Sequence, residues 1–311
     1  MKTNRAIWIV GVLVVILTNQ CRANLNGSDD FNGAAKDTTK WATDLANGVG
    51  RLTQTNGHLQ FTTTGVPTQT DFAARPWMLN YGSYTQDWEF RIDVNEPIFV
   101  LTNGQFVGLT IAILPGTDPS MLFTNAFSIQ LRQNSSEHSF KGQITANQSQ
   151  SSPWENKITT STSAAMRIAF DANTQVLSCF YDEDGSACGY SWTLLGSTNV
   201  PAGWNMTSNS VFGILVVGIG NNLSVDYTNN VFADNFRASS GNNPNLRINR
   251  TGSEVALSWA TNGPTIRLES TSTLSPPICW QVVTNTPGIA GTNFTVTNVI
   301  SNVNKFYRLS R

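Results

Sequence analysis

Trp88-Glu89-Phe90-Arg91-Ile92-Asp93-Val94 places a large apolar side chain at every second residue. Successive side chains of an extended chain point to opposite faces. Trp88, Phe90, Ile92 and Val94 then share one face, and Glu89, Arg91 and Asp93 share the other. A helix would scatter both sets around its circumference, so the stretch predicts a half-buried β-strand. The pattern recurs outward from it. Phe127, Ile129 and Leu131 alternate with Ser128, Gln130 and Arg132, and Met166, Ile168 and Phe170 alternate with Arg167 and Asp171. Residues 107–114 and 211–219 are nearly continuous apolar runs, as expected of central strands covered on both faces. Pro115-Gly116, Asp184-Gly185 and Gly220-Asn221-Asn222 supply turns between the runs. No helix longer than two turns is expected, although residues such as 36–48 have room for a short one. Many short alternating runs at regular spacing predict an all-β antiparallel sandwich, with Trp88, Phe90, Ile129, Ile168 and Leu215 in its core.

The alternation pauses at Ser239-Ser240-Gly241-Asn242-Asn243-Pro244-Asn245, which is small and polar like a linker. It resumes with Leu246/Ile248, Val255/Leu257/Trp259, Leu268, Trp280, Phe294/Val296 and Phe306/Leu309. Residues 27–238 are therefore expected to form one sandwich, 239–245 a linker and 246–311 a second, smaller sandwich. At the other end, Lys2 and Arg5 precede an apolar run from Ala6 to Leu17, followed by Cys21-Arg22-Ala23. That is the order of a secretory signal peptide cleaved after Ala23. A lipoprotein signal acylated at Cys21 and a retained anchor are the rival readings. The apolar run is shorter than the ~20 residues that span a bilayer, so no membrane insertion is expected after cleavage. Secretion, or display at the cell surface or in the periplasm, follows.

Charged residues are 13% of the 311, and the formal net charge is -1. That balance excludes a polybasic nucleic-acid surface. Aromatic residues at 10% exclude a disordered chain. Export permits disulfides. Cys179 and Cys188 flank the Asp184-Gly185 turn, and a hairpin folded there would set them opposite each other. A Cys179–Cys188 disulfide is the expectation, with two reduced thiols as the alternative. Cys279 is then a small buried apolar residue.

Two sets of residues resemble a known family. Asp29-Asp30-Phe31-Asn32 and Phe232-Ala233-Asp234-Asn235-Phe236-Arg237 resemble the paired terminal strands of bacterial concanavalin A-like (laminin-G, lectin and glucanase) jelly rolls. The strand from Trp88 to Val94 and the segment from Met166 to Gly185 resemble an early strand and a later hairpin of the same domains. Residues 246–311 resemble the short fibronectin-III/Ig-like module that follows large domains in secreted bacterial proteins. The first resemblance implies binding or cleavage of a polysaccharide or a glycoprotein glycan, and the second a spacer or display module. No cofactor is implied beyond a structural calcium ion, for which Asp30 and Asp234 are the candidate ligands if the terminal strands pair.

The glycan-cleaving branch of that family carries Glu-Ile-Asp-Ile-x-Glu on one strand. Arg91-Ile92-Asp93-Val94-Asn95-Glu96 keeps the spacing and puts Arg91 where the nucleophilic Glu belongs. A guanidinium is protonated at any working pH and cannot attack carbon. Asp93 and Glu96 are the remaining catalytic candidates, as a carboxylate pair. His58 and His138 sit in polar contexts expected to be solvated. Sugar binding combines an aromatic ring face with planar polar groups. The candidates are Glu89, Arg91, Asp93, Gln130 and Arg132, with Arg167, as one polar groove if their strands are neighbours, and Trp154 as an exposed ring. Trp77, Tyr81, Tyr84 and Trp204 are further loop aromatics. Non-catalytic glycan binding or adhesion is the expected function. A laminarinase-like hydrolase or lyase, or an envelope module without a small ligand, are the alternatives.

Overall fold

A computed structural model describes residues 27–67, 69–77, 86–116, 124–202, 204, 212–240, 246–261, 266–275, 278–300 and 304–310. The expected signal peptide, Tyr81, Tyr84 and residues 241–245 of the expected linker lie outside them. The described residues form strands and turns without a helix. At residues 36–48 there is one turn, closed by Trp41 N–H on the Asp37 carbonyl at 3.0 Å, in place of the short helix.

Two antiparallel sheets face each other. Across the first run β14 (Thr193–Asn199), β13 (Val176–Asp182), β12 (Ser163–Asp171), β6 (Trp88–Asn95), β17 (Phe232–Ser240), β4 (His58–Thr64) and β16 (Ser224–Val225). On this sheet β1 (Gly27–Asp29) also pairs with β17, and β3 (Arg51–Thr55) with β4. Across the second run β10 (Ser149–Ser151), β9 (His138–Ala146), β8 (Ala126–Asn134), β7 (Phe106–Pro115), β15 (Phe212–Asn221), β5 (Thr70–Pro76) and β2 (Leu45–Asn47). Here β11 (Lys157–Ile158) also pairs with β9. The parity read from Trp88–Val94 holds: Trp88, Phe90, Ile92 and Val94 are buried, and the residues between them are half-buried.

The inter-sheet core takes alternate residues from both sheets, among them Phe61, Phe90, Ile111, Ile129, Met166, Ile168 and Val216. Burial of each such side chain contributes about 1.5–3 kcal/mol. β7 and β15 are buried on both faces. Leu215 therefore lies outside the inter-sheet core, in a second cluster with Ala112, Leu114 and Val217 on the far side of the second sheet.

The terminal motifs have a physical basis. Asp29 pairs with Phe236 across β1 and β17. Its buried carboxylate accepts the Phe31 N–H at 2.8 Å and the Trp41 indole N–H at 2.6 Å. A bulge in β17 falls between Asp234 and Arg237, with Asn235 at φ 51, a conformation Asn adopts more readily than most residues. Phe236 packs into the interior against Trp41 and Trp77, with ring centroids 5.0 and 4.7 Å away.

β17 continues through Ser239 and Ser240, which pair with Glu89 and Trp88. These two residues belong to the first sheet and not to the expected linker. The chain from Arg247 onward builds two smaller sheets. One has the order β18 (Arg247–Thr251), β19 (Glu254–Ala260), β23 (Asn293–Val299), β22 (Gly288–Ala290); the other has β21 (Gln281–Val282), β20 (Arg267–Thr271), β24 (Phe306–Ser310). Leu257, Trp259, Leu268 and Val296 form their common core.

The expected disulfide does not form. β13 and β14 are joined by ten residues, 183–192, and their register sets Cys179 opposite Gly196. Cys188 lies inside this connection, outside the paired register. Cys179 is a free, buried thiol whose pKa is pushed up to about 12 by burial. Cys188 is bonded instead to Cys279, 91 residues further on. The leftover cysteine of the sequence is a disulfide partner, and the disulfide ties the first sheet's connection to the C-terminal sheets.

Candidate functional site

The expected polar groove is divided by the strand order. Glu89, Arg91 and Asp93 stand on the outer face of the first sheet, and Arg167 on β12 lies directly opposite Arg91. Gln130 and Arg132 lie on β8 in the second sheet, with Ile129 and Leu131 turned to the core between them. Parity places them on the opposite outer surface of the sandwich. There Gln130 is buried, and the Arg132 guanidinium lies 4.3 Å from the Phe106 ring centre.

Asp93 and Glu96 are separated by the same parity. Asp93 faces outward and accepts a hydrogen bond from Asn235 Nδ2 at 2.9 Å. Glu96 turns inward and is fully buried, and that burial raises its carboxyl pKa well above the usual range. Residues an odd number apart on an extended chain cannot converge on one bond, so this pair is not a catalytic dyad. His138 is buried rather than solvated, with Nε2 3.7 Å from Glu96. His58 is half-buried, stacked on Phe232 at 3.9 Å and 3.4 Å from Asp234.

Asp30 and Asp234 do not fit a calcium site. Asp30 is exposed and accepts the Asn32 N–H at 3.3 Å, whereas Asp234 faces His58 and, across the strands, Asp93. Calcium needs six to eight converging oxygens. Among the described residues no group of three or more His, Cys, Asp or Glu side chains could hold a metal ion.

Trp154 is not an open ring. A Cβ added at Gly142 on β9 would lie 2.6 Å from its ring, and one added at Gly196 on β14 would lie 2.2 Å from it. The indole is thus wedged between β9 of the second sheet and β14 of the first, with Phe127 edge-on at 5.9 Å. Trp77 and Trp204 are buried as well.

The ten-residue connection covers the part of the first sheet's outer face around Arg91 and Arg167. Arg167, Arg91 and Arg237 stand side by side across β12, β6 and β17. Three like charges in register repel, and aromatic lids with a carboxylate offset this. Arg91 lies 3.9 Å from the Tyr190 ring centre, and Arg167 lies 4.5 Å from Phe180 and 5.5 Å from Trp192. Glu89 is 3.4 Å from Arg167. Tyr190 and Trp192 stack on each other at 5.1 Å and 3°. Burial, then the negative charge of Asp93, raises the Tyr190 phenol pKa.

The connection is anchored at both ends. Asp182, itself buried, accepts the Ser191 N–H and, at 3.3 Å, the Asp184 N–H. Trp280 N–H donates to the Cys188 carbonyl at 2.7 Å, and Arg308 donates to the Tyr190 carbonyl. Gly189 has φ +70, which favours glycine, and a Cβ there would lie a tight 3.1 Å from Trp280 Cβ.

Between this connection and the C-terminal sheets lies a cavity of about 660 Å³. Asp182, Glu183, Asp184 and Trp192 line it from one side, and Ile278, Trp280 and Arg308 from the other. Burial, then the neighbouring Asp184, raises the Asp182 pKa to about 7. The Arg308 guanidinium stacks 4.2 Å from the Trp280 ring centre and holds Glu269 at 2.7 Å. Two indoles beside carboxyl and carboxylate groups suit a ligand with an apolar face and hydroxyls at its edge. Of these residues none was a sequence candidate for sugar binding. The signal that points to them is the spacing Cys188-Gly189-Tyr190-Ser191-Trp192 against Cys279-Trp280, which becomes legible only once Cys188 is paired with Cys279.

No protein-family model and no curated protein matches the chain. Solved structures are similar to it. The metal-free form of lectin I-B4 from Griffonia simplicifolia is 14% identical, with a TM-score of 0.44 over 70% of this chain and 99% of that one. The winged bean acidic lectin complexed with methyl-α-D-galactose is 15% identical, with a TM-score of 0.45 over 70% and 98%. The potassium-bound Emp46p carbohydrate recognition domain is 11% identical, with a TM-score of 0.44 over 70% and 97%. These neighbours have the concanavalin A-like jelly-roll fold, and the likeness is one of fold alone.

Proposed function

We propose that this chain is a secreted protein that binds the glycan of a polysaccharide or glycoprotein without cleaving it. The observation that carries the reading is the cavity in which Trp192 and Trp280 stand beside Asp182, Glu183 and Asp184. An indole covers the C–H face of a pyranose, and carboxyl groups accept from its hydroxyls, as sugar recognition requires. The Cys188–Cys279 disulfide supports an oxidising compartment, in keeping with secretion or display at the cell surface or in the periplasm. The separation of Asp93 from Glu96 supports a non-catalytic role for that strand. The test is a glycan array probed with the purified full chain, with and without calcium. Selective binding that falls in Trp192→Ala is the expected result. A blank array in both buffers would overturn the proposal and favour a structural envelope module.

A further inference from the structure

The cavity is not the property of one unit. Its first wall comes from β13 and the connection 183–192, and its second from Ile278, Trp280 and Arg308, beyond the first two sheets. Among the described residues, the contacts that hold the second wall are concentrated in one place. They include the Cys188–Cys279 bond, Trp280 N–H on the Cys188 carbonyl, Arg308 on the Tyr190 carbonyl, and Ser191 Oγ on the Ile278 carbonyl at 3.5 Å. All of them fall on Cys188–Ser191 or on residues next to Cys279 and Trp280. The lining also has a definite charge. Arg308 is its only cation among the described residues, and each of its three nitrogens is engaged, by Glu269 or by Tyr190. The Asp182 carboxyl is close enough for its charge to act on Arg308, Asp184 forms no ion pair among the described residues, and Glu183 meets Lys157 at 3.7 Å.

Resting on the carbohydrate reading, we infer that the glycan site is a composite of both units, that the Cys188–Cys279 disulfide holds its second wall in place, and that it takes pyranose chains without acidic groups. The C-terminal unit is then half of the binding site rather than a spacer. An acidic sugar would bring a carboxylate against Asp184 with no free guanidinium to receive it, whereas a neutral hexose presents only hydroxyls and C–H faces. A dithiol reductant opens the site. One of its thiolates attacks a sulfur of the disulfide, and its second thiol closes on the mixed disulfide. Cys188 and Cys279 are left as thiols, the two electrons and two protons coming from the dithiol.

The test uses the purified full chain with immobilised neutral hexasaccharides of glucose, galactose and mannose, and with hexagalacturonate as the acidic counterpart. Each is measured before and after dithiothreitol, and in Cys188→Ser/Cys279→Ser. Acrylamide quenching of indole fluorescence, without any sugar, reports the clamp independently. The expected result is that a neutral hexasaccharide binds and weakens roughly tenfold or more on reduction. Quenching rises and the far-ultraviolet circular dichroism is unchanged. If the double variant fails to fold, the reduced wild-type chain carries the comparison. Unchanged affinity and unchanged quenching on reduction would overturn the composite site and leave the carbohydrate reading standing. Tighter binding of hexagalacturonate would overturn the charge assignment. A chain that binds no sugar but shows the rise in quenching upholds the clamp and loses the carbohydrate reading.

Discussion

Gly196→Ala is the sharpest perturbation of the sandwich. The new Cβ would lie 2.2 Å from Cδ2 of Trp154 and 2.4 Å from two further ring atoms, against 3.4 Å for ordinary contact. The indole must retreat by about 1.2 Å, the shortfall from that contact. Retreat toward β9 is blocked, because Gly142 on the other sheet already stands so close that a Cβ there would be 2.6 Å from the ring. The atoms in the way belong to the ring body and not to a flexible tip, so the cost lies at the upper end of overpacking, about 3 kcal/mol. Trp154→Ala alone removes the wedge and costs about 3 kcal/mol by leaving a void. In that background the methyl of Gly196→Ala enters empty space, and its cost falls below about 0.5 kcal/mol, leaving a coupling of about 2.5 kcal/mol. Urea unfolding of the four chains, followed by far-ultraviolet circular dichroism, measures the cycle. Additive costs would refute the wedge. The glycan affinity of Trp154→Ala stays within about twofold of wild type (~0.4 kcal/mol), since the ring does not line the cavity.

Three further outcomes follow from other parts of the molecule. Arg75 is buried and forks onto Asp44 at 3.0 and 2.7 Å, so Asp44→Ala strands a buried guanidinium and lowers unfolding stability by about 3 kcal/mol, read from urea melts. The raised pKa of Asp182 means that the folded chain keeps a proton that an unfolded Asp sheds near pH 4; stability falls as pH climbs from about 4 to about 7 and levels off above. Thermal melts of Asp182→Asn across that window should show a shallower slope than the wild type, with the raised carboxyls of Glu96 and Asp234 keeping their own share. Gly189→Ala strains a positive φ and crowds Trp280, so it should raise acrylamide quenching of the native chain and weaken glycan binding, with the sheet circular dichroism retained.

The strands were legible because parity is a local property. Trp88 to Val94 needs no partner to declare its two faces, and the double-sided burial of β7 and β15 shows in their nearly continuous apolar runs. The order of strands across a sheet is not local. Arg132 and Arg91 share an alternation and end on opposite surfaces of the sandwich, because β8 joins β7 and β9 while β6 joins β12 and β17. The disulfide failed for a related reason. Asp184-Gly185 does make a turn, with Gly185 at φ 58, but it begins a ten-residue connection instead of closing a tight hairpin. Trp154 sits in a polar segment and is nevertheless wedged, because the space for it is made by two glycines 54 positions apart, Gly142 and Gly196. The cavity escaped for the same cause: Trp192 and Trp280 are distant in sequence and are joined through Cys188 and Cys279.

The most direct test follows the indole Nε1–H signals of the ¹⁵N-tryptophan-labelled chain during titration with the glycan that leads the array. The account predicts that the Trp192 and Trp280 signals shift together with one dissociation constant while those of Trp77, Trp88 and Trp154 stay in place; shifts confined to other tryptophans, or no shift at saturating glycan, would contradict it.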